Sequence, residues 1–390
     1  MSFLKPYLIV IKSLFFYLFD SMALLKSPSP EQNELKLVLL IRQDAIGDFV
    51  MWLDTAKEYR KIFPPDKYKL ILVGNKIWSD LAEALPFWDD IIMVDVKQFK
   101  TLSNYRWNII RQIRNLKANI AIQPTFSREF YNGDSIVRAS KATRKISSLG
   151  DMGNRNRLKQ IIADSWHTEF IPVSKKPLTE LERNAEFFSG LSNFPYSVSY
   201  PRLKIPELWL SSEWKEKTFY TLVPGTSGAV AGKEWPPKFF SELAKKIFHQ
   251  TGWKGIICGA KQEHSLGEQI LNKSDAPLQN LCGETTLTEL AGILSQSQFT
   301  VSNDTGVVYL SSAVGTPSVC IVGGGHFGRF VPYPDLPGET NNLKEVFHKM
   351  DCFGCDWECI YPLKEGEPAP CIANISVNTV CSKVSSLLSS

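Results

Sequence analysis

The chain has 390 residues, of which 44% are hydrophobic and 22% are charged, and its formal net charge is +4. This length exceeds what one hydrophobic core usually supports, so we expect two domains. The positive charge is small and dispersed. It argues against a nucleic-acid-binding protein and fits a partner that is an anionic lipid surface or an anionic small molecule.

The first predicted element is an amphipathic helix over residues 1–26. Its polar side carries Lys5, Lys12, Ser13, Asp20 and Lys26, and its apolar side carries Leu8, Ile11, Phe15, Phe19 and Met22. Charged residues interrupt the apolar run, which stays below the ~18–20 residues that a spanning helix needs. The pattern predicts a helix that lies in a membrane interface, and the alternatives are a helix that packs on its own domain or an upstream segment without structure. Residues 27–34, with Pro, Ser and charge, predict a linker.

The first domain is predicted over residues 35–199. It opens with the strand Leu37–Ile41, a turn at Gly47 and a helix that extends to Phe63. An unbroken aliphatic run of this kind is typical of a strand buried on both faces of a parallel sheet. Asp48 follows the carboxyl end of this strand, where open α/β sheets bind ligands. Its alternative role is that of a helix N-cap.

Strands and helices continue to alternate along both halves of the chain. In the first domain, strands are predicted at 68–74, 90–95 and 118–126, and helices at 105–117, 134–142 and 180–191. Residues 200–218 predict an interdomain connection. In the second domain, predicted over 219–350, strands are expected at 219–226, 254–260, 299–306 and 317–324, and helices at 236–252, 287–298 and 307–315. The alternation indicates an α/β protein with two Rossmann-like domains and a cleft between them.

A glycine-rich loop, "GTSGAVAGKEWP", follows the first strand of the second domain. It offers two small hydroxyls, Thr226 and Ser227, and a single cation, Lys233. The loop does not follow the Walker A pattern, because no Ser or Thr comes after the lysine in the required frame. A flexible polar loop that ends in one lysine nevertheless predicts an anionic ligand.

A second anion site is predicted where the strand at 299–306 leads into a helix. Exposed backbone N–H groups at Thr305, Gly306 and Val307 would form a helix start that binds anions, and a glycine there allows close approach of the ligand. Asp304 is expected to cap this helix or to accept hydrogen bonds from ligand hydroxyls. Together with Lys233, this helix start predicts that the ligand carries phosphate.

The eight cysteines form two groups. Cys258, Cys282, Cys320 and Cys381 are scattered among apolar residues, whereas Cys352, Cys355, Cys359 and Cys371 are clustered as C-x2-C-x3-C-x11-C. The cluster lies in a predicted tail, 351–390, that ends in a helix. A zinc or redox site is the functional interpretation of the cluster, and reduced loop cysteines are the alternative. Its spacing matches no zinc motif closely.

The chain resembles glycosyltransferase family 9, the bacterial heptosyltransferases and their relatives, from about Lys36 to Pro332. The resemblance rests on "IRQDAIGDFVMWLDTAKEYRKIFP", "GTSGAVAGKEWPPKFFSELAKKI", "NLCGETTLTELAGILSQSQFTVSNDTGVVYLSSAVGTP" and "IVGG". It implies a GT-B fold with an acceptor-binding first domain and a donor-binding second domain. It also implies inverting transfer from a nucleotide sugar without a metal ion or other cofactor.

The resemblance also implies a role for each matching residue. Asp48 corresponds to the general base that takes the proton of the acceptor hydroxyl, and Lys233 with the Thr305–Gly306 amides would stabilise the diphosphate leaving group. The remaining donor-site residues implied are Thr226 and Ser227 at the phosphates, Glu263 at the ribose, Thr285 at the base, and Asp304. Tyr309 stands where the heptosyltransferase pattern usually has a histidine.

The implied donor is ADP-heptose, ahead of other nucleotide sugars, and the implied acceptor is a lipid-linked glycan of lipopolysaccharide type. The protein is expected on the inner face of the bacterial cytoplasmic membrane, attached peripherally through residues 1–26. One alternative is a family member that binds a nucleotide sugar in a glycan-assembly complex without turning it over. A NAD-dependent oxidoreductase is disfavoured because "DAIGD", and not G-x-G-x-x-G, follows the first strand.

Overall fold

The computed structural model describes residues 5–25, 35–226 and 230–388, with side chains from Val10 onward. The predicted linker at 27–34 and the predicted site residue Ser227 lie outside the described residues. The chain divides into two compact units. The first comprises Met1–Ala45, Thr55–Lys175 and Glu182–Ser197, and the second comprises Ile46–Asp54, Lys176–Leu181 and Val198–Ser390.

The first unit is built on a six-stranded parallel sheet. Its strands are β1 (Lys36–Ile41), β2 (Tyr68–Asn75), β3 (Asp90–Val94), β4 (Ile120–Gln123), β5 (Arg144–Ser148) and β6 (Glu169–Ile171). They are arranged in the order β3-β2-β1-β4-β5-β6, which is the doubly wound Rossmann order. The central strand β1, with the sequence "KLVLLI", is buried over its last five residues, as expected for a strand covered on both faces.

Helices lie before, between and after these strands in the first half of the chain. They are α1 (Lys5–Ala23), α2 (Ile46–Ala56), α3 (Tyr59–Ile62), α4 (Ser79–Glu83), α5 (Val96–Phe99), α6 (Asn104–Asn115), α7 (Gly133–Ser140), α8 (Arg157–Asp164) and α9 (Glu180–Ser192). Most of α2, up to Asp54, belongs to the second unit. The structure divides the predicted helix from Gly47 to Phe63 into two helices, α2 and α3. Because α2 begins at Ile46, Asp48 lies inside its first turn and is not its N-cap.

The second unit contains a second six-stranded parallel sheet. Its strands are β7 (Phe219–Val223), β8 (Lys254–Ile257), β9 (Leu278–Asn280), β10 (Thr300–Asn303), β11 (Ser318–Ile321) and β12 (Leu343–Val346). The order is β12-β11-β10-β7-β8-β9, which repeats the order of the first sheet when its strands are counted along the chain. The helices are α10 (Pro237–Thr251), α11 (His264–Asn272), α12 (Leu287–Gln296), α13 (Gly306–Ala313), α14 (Pro370–Ala373) and α15 (Val377–Leu388).

Local signals explain where the helices of the second unit begin and end. A proline occupies the first turn of α10, and Gly252 ends that helix in the left-handed conformation at φ 71°. Thr286 and Glu289 form a capping box at the start of α12. The predicted tail at 351–390 is part of this unit, because α15 packs on α10 and the Trp235 indole donates to the Ile375 carbonyl at 2.9 Å.

Helix α1 packs on the first unit through a face that carries Ser13, Phe16, Asp20 and Ala23. Asp20 is buried and binds the Arg106 guanidinium through both oxygens, at 2.7 and 2.5 Å. Ser13, also buried, shares a hydrogen bond of 2.9 Å with the Tyr131 hydroxyl. The alternative of a helix that packs on its own domain is therefore found. Ser13 and Asp20 of the predicted polar side are buried, Asp20 because the buried Arg106 requires a partner, whereas Lys12 is exposed.

Most of the predicted apolar side of α1 is exposed. The exposed large hydrophobic side chains of this helix are Val10, Ile11, Leu14, Phe15, Tyr17, Leu18 and Met22. Phe19, predicted on the same side, packs edge-on against Trp107, with ring centroids 5.3 Å apart. No helix in the described part of the chain is long and apolar enough to cross a membrane.

Candidate nucleotide-sugar site

The strand order of the second sheet places its ligand-binding edge between β7 and β10. These strands are neighbours, and the connections that leave them run in opposite directions, so a crevice forms beyond their carboxyl ends. The loop after β7 leads to Thr226, and β10 leads into α13 at Gly306. The two segments predicted to bind phosphate therefore begin at neighbouring strands.

Lys233 and Asp304 form an ion pair at this edge. Their Nζ and Oδ2 atoms are 3.1 Å apart, and the Tyr309 hydroxyl donates to the other oxygen of Asp304 at 2.5 Å. Burial, and then the Asp304 carboxylate, raise the pKa of Tyr309 well above its ordinary value, so its hydroxyl remains a donor. Asp304 thus positions the lysine and does not cap α13, whose N-cap is Thr305. Tyr309 is only 3% exposed, so it contacts Asp304 from the interior of the unit.

The first turn of α13 packs directly against the first turn of α2, within the second unit. A Cβ atom on Gly306 would lie 2.7 Å from Ile46 Cβ and 2.9 Å from the Gly47 nitrogen. A Cβ atom on Gly47 would in turn lie 2.9 Å from Tyr309 Cδ2. Both turns need glycine for this approach. The contact brings the half-buried Asp48, which follows Gly47, to the helix start that was predicted to bind anions.

Asn303 and Glu234 hold the loop after β7, and neither was predicted as a site residue. The buried Asn303 amide donates to the Pro224 carbonyl at 2.6 Å, and its oxygen accepts the Trp235 N–H at 3.1 Å. Thr226 donates its hydroxyl to the Glu234 carboxylate at 3.0 Å. Asn303 therefore fastens both ends of the loop to β10. The signal available in the sequence is its position directly before Asp304.

Glu263 lies beside the same loop. It ends the short 3-10 turn Lys261–Glu263 after β8, and its carboxylate accepts the Ala260 N–H at 2.7 Å. A Cβ atom on Gly225 would lie 2.1 Å from its Oε1 atom, so the carboxyl group rests against the loop. The structure therefore places this predicted ribose-binding residue next to the predicted phosphate loop.

Thr285 directly precedes Thr286, the N-cap of α12. It is half-exposed and lines a surface pocket together with Trp209, Trp214 and Glu289. None of the other predicted donor-site residues lines this pocket. The geometry thus brings together Thr226, Lys233, Glu263, Asp304 and Gly306, and the base contact of Thr285 stays a prediction.

The first unit has a polar cluster at the equivalent edge, between β1 and β4. Arg42, which is fully buried, pairs with Asp44 at 2.7 Å, and the Thr125 hydroxyl donates to the same carboxylate oxygen at 3.1 Å. The guanidinium also donates to Asn184 at 3.0 Å. This cluster was not predicted from the sequence, although Asp44 and Thr125 both lie within three residues of the ends of β1 and β4.

The four clustered cysteines lie in the second unit around one small cavity. All four are free thiols: Cys371 is buried, and Cys352, Cys355 and Cys359 are half-buried. The four scattered cysteines are buried. The convergence agrees with the grouping predicted from their spacing.

Comparison with known proteins identifies relatives of this chain. The family model described as "Glycosyltransferase family 9 (heptosyltransferase)" matches residues 153–353. The chain is 27% identical over 181 residues to lipopolysaccharide heptosyltransferase 2 of Escherichia coli, covering 44% of this chain and 50% of that protein. It is 24% identical over 180 residues to the protein of the same name from Salmonella typhimurium, with the same coverage. The chain therefore spans about half the length of these curated relatives.

Solved structures show the same fold. The structure of E. coli ADP-heptose lipopolysaccharide heptosyltransferase II is similar at a TM-score of 0.65 and 16% identity, covering 91% of this chain and 98% of that one. A family 9 glycosyl transferase from Veillonella parvula is similar at a TM-score of 0.67, with the same identity and coverage. The predicted α/β class with two Rossmann-like sheets is confirmed, and the fold is the GT-B fold of these heptosyltransferases. The chain belongs to glycosyltransferase family 9.

Proposed function

We propose that this protein transfers a sugar from a nucleotide sugar to a cell-surface glycan, with inversion at the anomeric carbon. One observation carries the proposal: the first turn of α2, which holds Asp48, packs on the start of α13 beside the Lys233–Asp304 pair. A general base and a diphosphate-binding group are thereby brought to one edge of the second unit. These are the two groups that such a transfer needs.

In the proposed reaction Asp48 accepts the proton of the acceptor hydroxyl as its oxygen attacks the anomeric carbon. The bond from that carbon to the diphosphate oxygen breaks, and negative charge grows on the leaving group. Lys233 has three N–H donors and uses one on Asp304, so two remain for phosphate oxygens. The Thr305 and Gly306 amides add the partial positive charge of a helix start. These groups take the place of a divalent cation in the transfer step.

The proposed donor is ADP-heptose. The curated relatives are named heptosyltransferases, and a similar solved structure, that of an E. coli heptosyltransferase, contains ADP-2-deoxy-2-fluoro heptose. In this chain Glu263 rests against the loop that carries Thr226, so a ribose held by its carboxylate would place the attached phosphates at that loop. The nucleotide is thus proposed to lie across the ends of β8 and β7.

The proposed acceptor is a lipid-linked glycan of lipopolysaccharide type. The relatives' names refer to lipopolysaccharide, and the first unit offers the Arg42, Asp44 and Thr125 cluster at its own ligand-binding edge. Carboxylate and hydroxyl groups there are suited to sugar hydroxyls. We propose that the first unit contributes acceptor contacts at this edge.

The protein is further proposed to attach peripherally to the inner face of the cytoplasmic membrane through α1. Seven large hydrophobic side chains of this helix are exposed, and Lys12 is exposed beside them. Apolar side chains next to a cation suit the boundary between acyl chains and anionic headgroups. Because α1 is held by buried polar contacts, its exposed side has a fixed orientation on the first unit.

The donor proposal is tested by thermal-shift and turnover measurements on a panel of nucleotide sugars, with and without EDTA. We expect ADP-heptose to stabilise the protein most, and turnover to be unaffected by EDTA. Stabilisation by a UDP- or GDP-sugar alone would contradict the proposed donor. A strict requirement for added Mg²⁺ or Mn²⁺ would contradict the proposed role of Lys233.

A further inference from the structure

The loop of residues 352–359 and the start of α14 surround a cavity with sulfur atoms. Cys352, Cys355 and Cys359 come from the loop, and Cys371 comes from α14. The cavity is otherwise lined by Gly324, Gly325 and aromatic and aliphatic side chains, with no carboxylate among its lining residues. Four thiols from two segments around one void form a set of ligands that the proposed transfer does not use.

Backbone contacts fasten this cysteine loop to the glycines that follow β11. The Gly354 N–H donates to the Gly324 carbonyl at 2.8 Å, and the Asp356 N–H donates to the Gly325 carbonyl at 3.1 Å. These two contacts hold the loop that carries Cys352, Cys355 and Cys359 beside the cavity, which Gly324 and Gly325 also line.

The cysteine loop also has strained backbone. Asp356 and Trp357 have φ angles of 50° and 62°, in the left-handed region that residues other than glycine seldom adopt. Strain of this kind persists only where the surroundings determine the conformation. In addition, the indole nitrogen of Trp357 is buried and has no hydrogen-bond partner in the described part of the chain. A thiolate sulfur on the cavity that Trp357 lines would be an acceptor for it.

We propose that the four thiols bind one thiolate-preferring metal ion, zinc or iron. Both ions take four cysteine ligands, and binding releases the thiol protons to solvent. In the described residues no three potential ligands already stand where they could hold a metal ion together. The thiols must therefore turn into the cavity when the ion binds, and three of them lie on a loop without regular secondary structure.

The metal site is joined to the proposed donor site by two contacts. The Trp357 ring, between Cys355 and Cys359 in sequence, lies 5.6 Å from the Lys233 ammonium, at cation–π distance. The Ala369 N–H, two residues before Cys371, donates to the Gly232 carbonyl at 2.9 Å, and Gly232 directly precedes Lys233. An ion that links the cysteine loop to α14 would therefore hold the two segments that contact Lys233 and its neighbour Gly232. This second part of the proposal rests on the proposed function.

Elemental analysis of the purified full chain tests the metal site by itself. We expect about one equivalent of zinc or iron per chain, and at least a tenfold loss of that metal in the Cys355→Ala variant. Cys381→Ala is the matched control, because this cysteine lies on α15 outside the cluster. The element found distinguishes zinc from iron. A wild-type chain without metal, with the four cysteines freely alkylated or paired as disulfides, would overturn the proposal.

Calorimetry with ADP tests the link to Lys233. We expect the dissociation constant for ADP to rise about tenfold in Cys355→Ala, which corresponds to losing part of a charge-assisted contact. It should be unchanged in Cys381→Ala. Trp357→Leu should keep the metal and still weaken ADP binding. Loss of the metal with unchanged ADP affinity would overturn the link, whereas a wild-type chain that binds metal but not ADP would overturn the proposed donor function.

Discussion

Asp304 divides its two carboxylate oxygens between Lys233 and Tyr309, at 3.1 and 2.5 Å. The carboxyl side chain is buried, so it depends on both partners for compensation of its charge. Lys233 is thereby fixed in position before any ligand arrives. Binding of a diphosphate then needs little further ordering of this long side chain.

The first prediction concerns Lys233. In Lys233→Ala we expect the dissociation constant for ADP to rise by about tenfold or more, because a charge-assisted contact is lost. Turnover should fall by about 10²- to 10³-fold, since the leaving-group charge is then less compensated. Calorimetry measures the dissociation constant for ADP, and steady-state kinetics measure the turnover.

Lys238→Ala is the matched control, because this lysine is exposed at the start of α10. It should bind ADP as the wild type does. Equal ADP affinity in the Lys233→Ala and Lys238→Ala variants would contradict the assignment of the phosphate-binding lysine.

The site residues that the sequence predicted are those whose signal is local. Lys233 and Gly306 were identified because a strand, a turn and a helix start follow one another within a few residues. Asn303 was missed because its role depends on Pro224, 79 positions away. Glu234 was missed because an acidic side chain is not expected in a loop that binds anions. Its carboxylate instead accepts the hydrogen bond of the Thr226 hydroxyl.

At the scale of elements, the contact between the first turns of α2 and α13 joins the proposed base to the proposed anion site. It depends on two glycines, Gly47 and Gly306, because any larger residue would bring side-chain atoms within 3 Å of the facing turn. The two helix starts can therefore approach each other only because both positions are glycine.

The second prediction follows from this contact. Gly306→Ala places a Cβ atom 2.7 Å from Ile46 Cβ, and the turns must separate. A displacement of this order can cost about 10²-fold in turnover, because the base no longer faces the reacting atoms correctly. Val307→Ala, in the same turn, is the control and should retain most activity. Wild-type kinetics in Gly306→Ala would show that the contact does not matter for the reaction.

Helix α1 leads to the third prediction, on stability. Asp20→Ala leaves the buried Arg106 without its carboxylate, and we expect the free energy of unfolding to fall by about 3–5 kcal/mol. Asp275→Ala removes an exposed partner of Lys245 and should cost at most about 1 kcal/mol. Urea denaturation of both variants measures the difference. Equal values for the two would argue against a structural role for the docked helix.

Several elements were not predicted from the sequence, among them strands β5 ("RKISS"), β6 ("EFI"), β9 ("LQN") and β12 ("LKEV") and helices α8 and α11. The four strands are short and contain no long apolar run, and β6, β9 and β12 lie at the edges of their sheets. The orientation of α1 was missed for another reason. The helical pattern shows which residues share a side, but it cannot show that a buried arginine 86 positions away binds Asp20.

At the scale of the whole molecule, two sheets with the same strand order each present a ligand-binding edge. The alternation of strands and helices predicted both sheets, because central strands such as β1 and β7 are continuous buried runs. The assignment of α2 to the second unit was not predictable, since its apolar pattern does not say which sheet it accompanies. Distant contacts decide that assignment.

The fourth prediction concerns membrane attachment. The wild-type chain should sediment with vesicles that contain anionic phospholipid, and a variant with both Phe15→Glu and Leu18→Glu should remain in the supernatant. These side chains are exposed, so their replacement leaves the contacts of Asp20 and Ser13 intact. Deleting the whole helix would be a poorer test, because it uncovers Arg106.

Ile77→Glu is the control for this experiment. Ile77 is an exposed apolar side chain of the same unit outside α1, and its variant should still sediment. Equal sedimentation of the wild type and the double variant would contradict an attachment through α1.

The proposed transfer is tested most directly by acceptor-dependent release of ADP from ADP-heptose, measured for the wild type and for Asp48→Asn. We predict release by the wild type without divalent cations, a product of inverted anomeric configuration by NMR, and a loss of about 10²- to 10⁴-fold in the variant with ADP affinity retained. Asp66→Asn, an exposed carboxylate of the first unit, should behave as the wild type. A wild-type chain that binds ADP but releases none from any nucleotide sugar with any acceptor, or an Asp48→Asn variant of normal rate, would contradict the account.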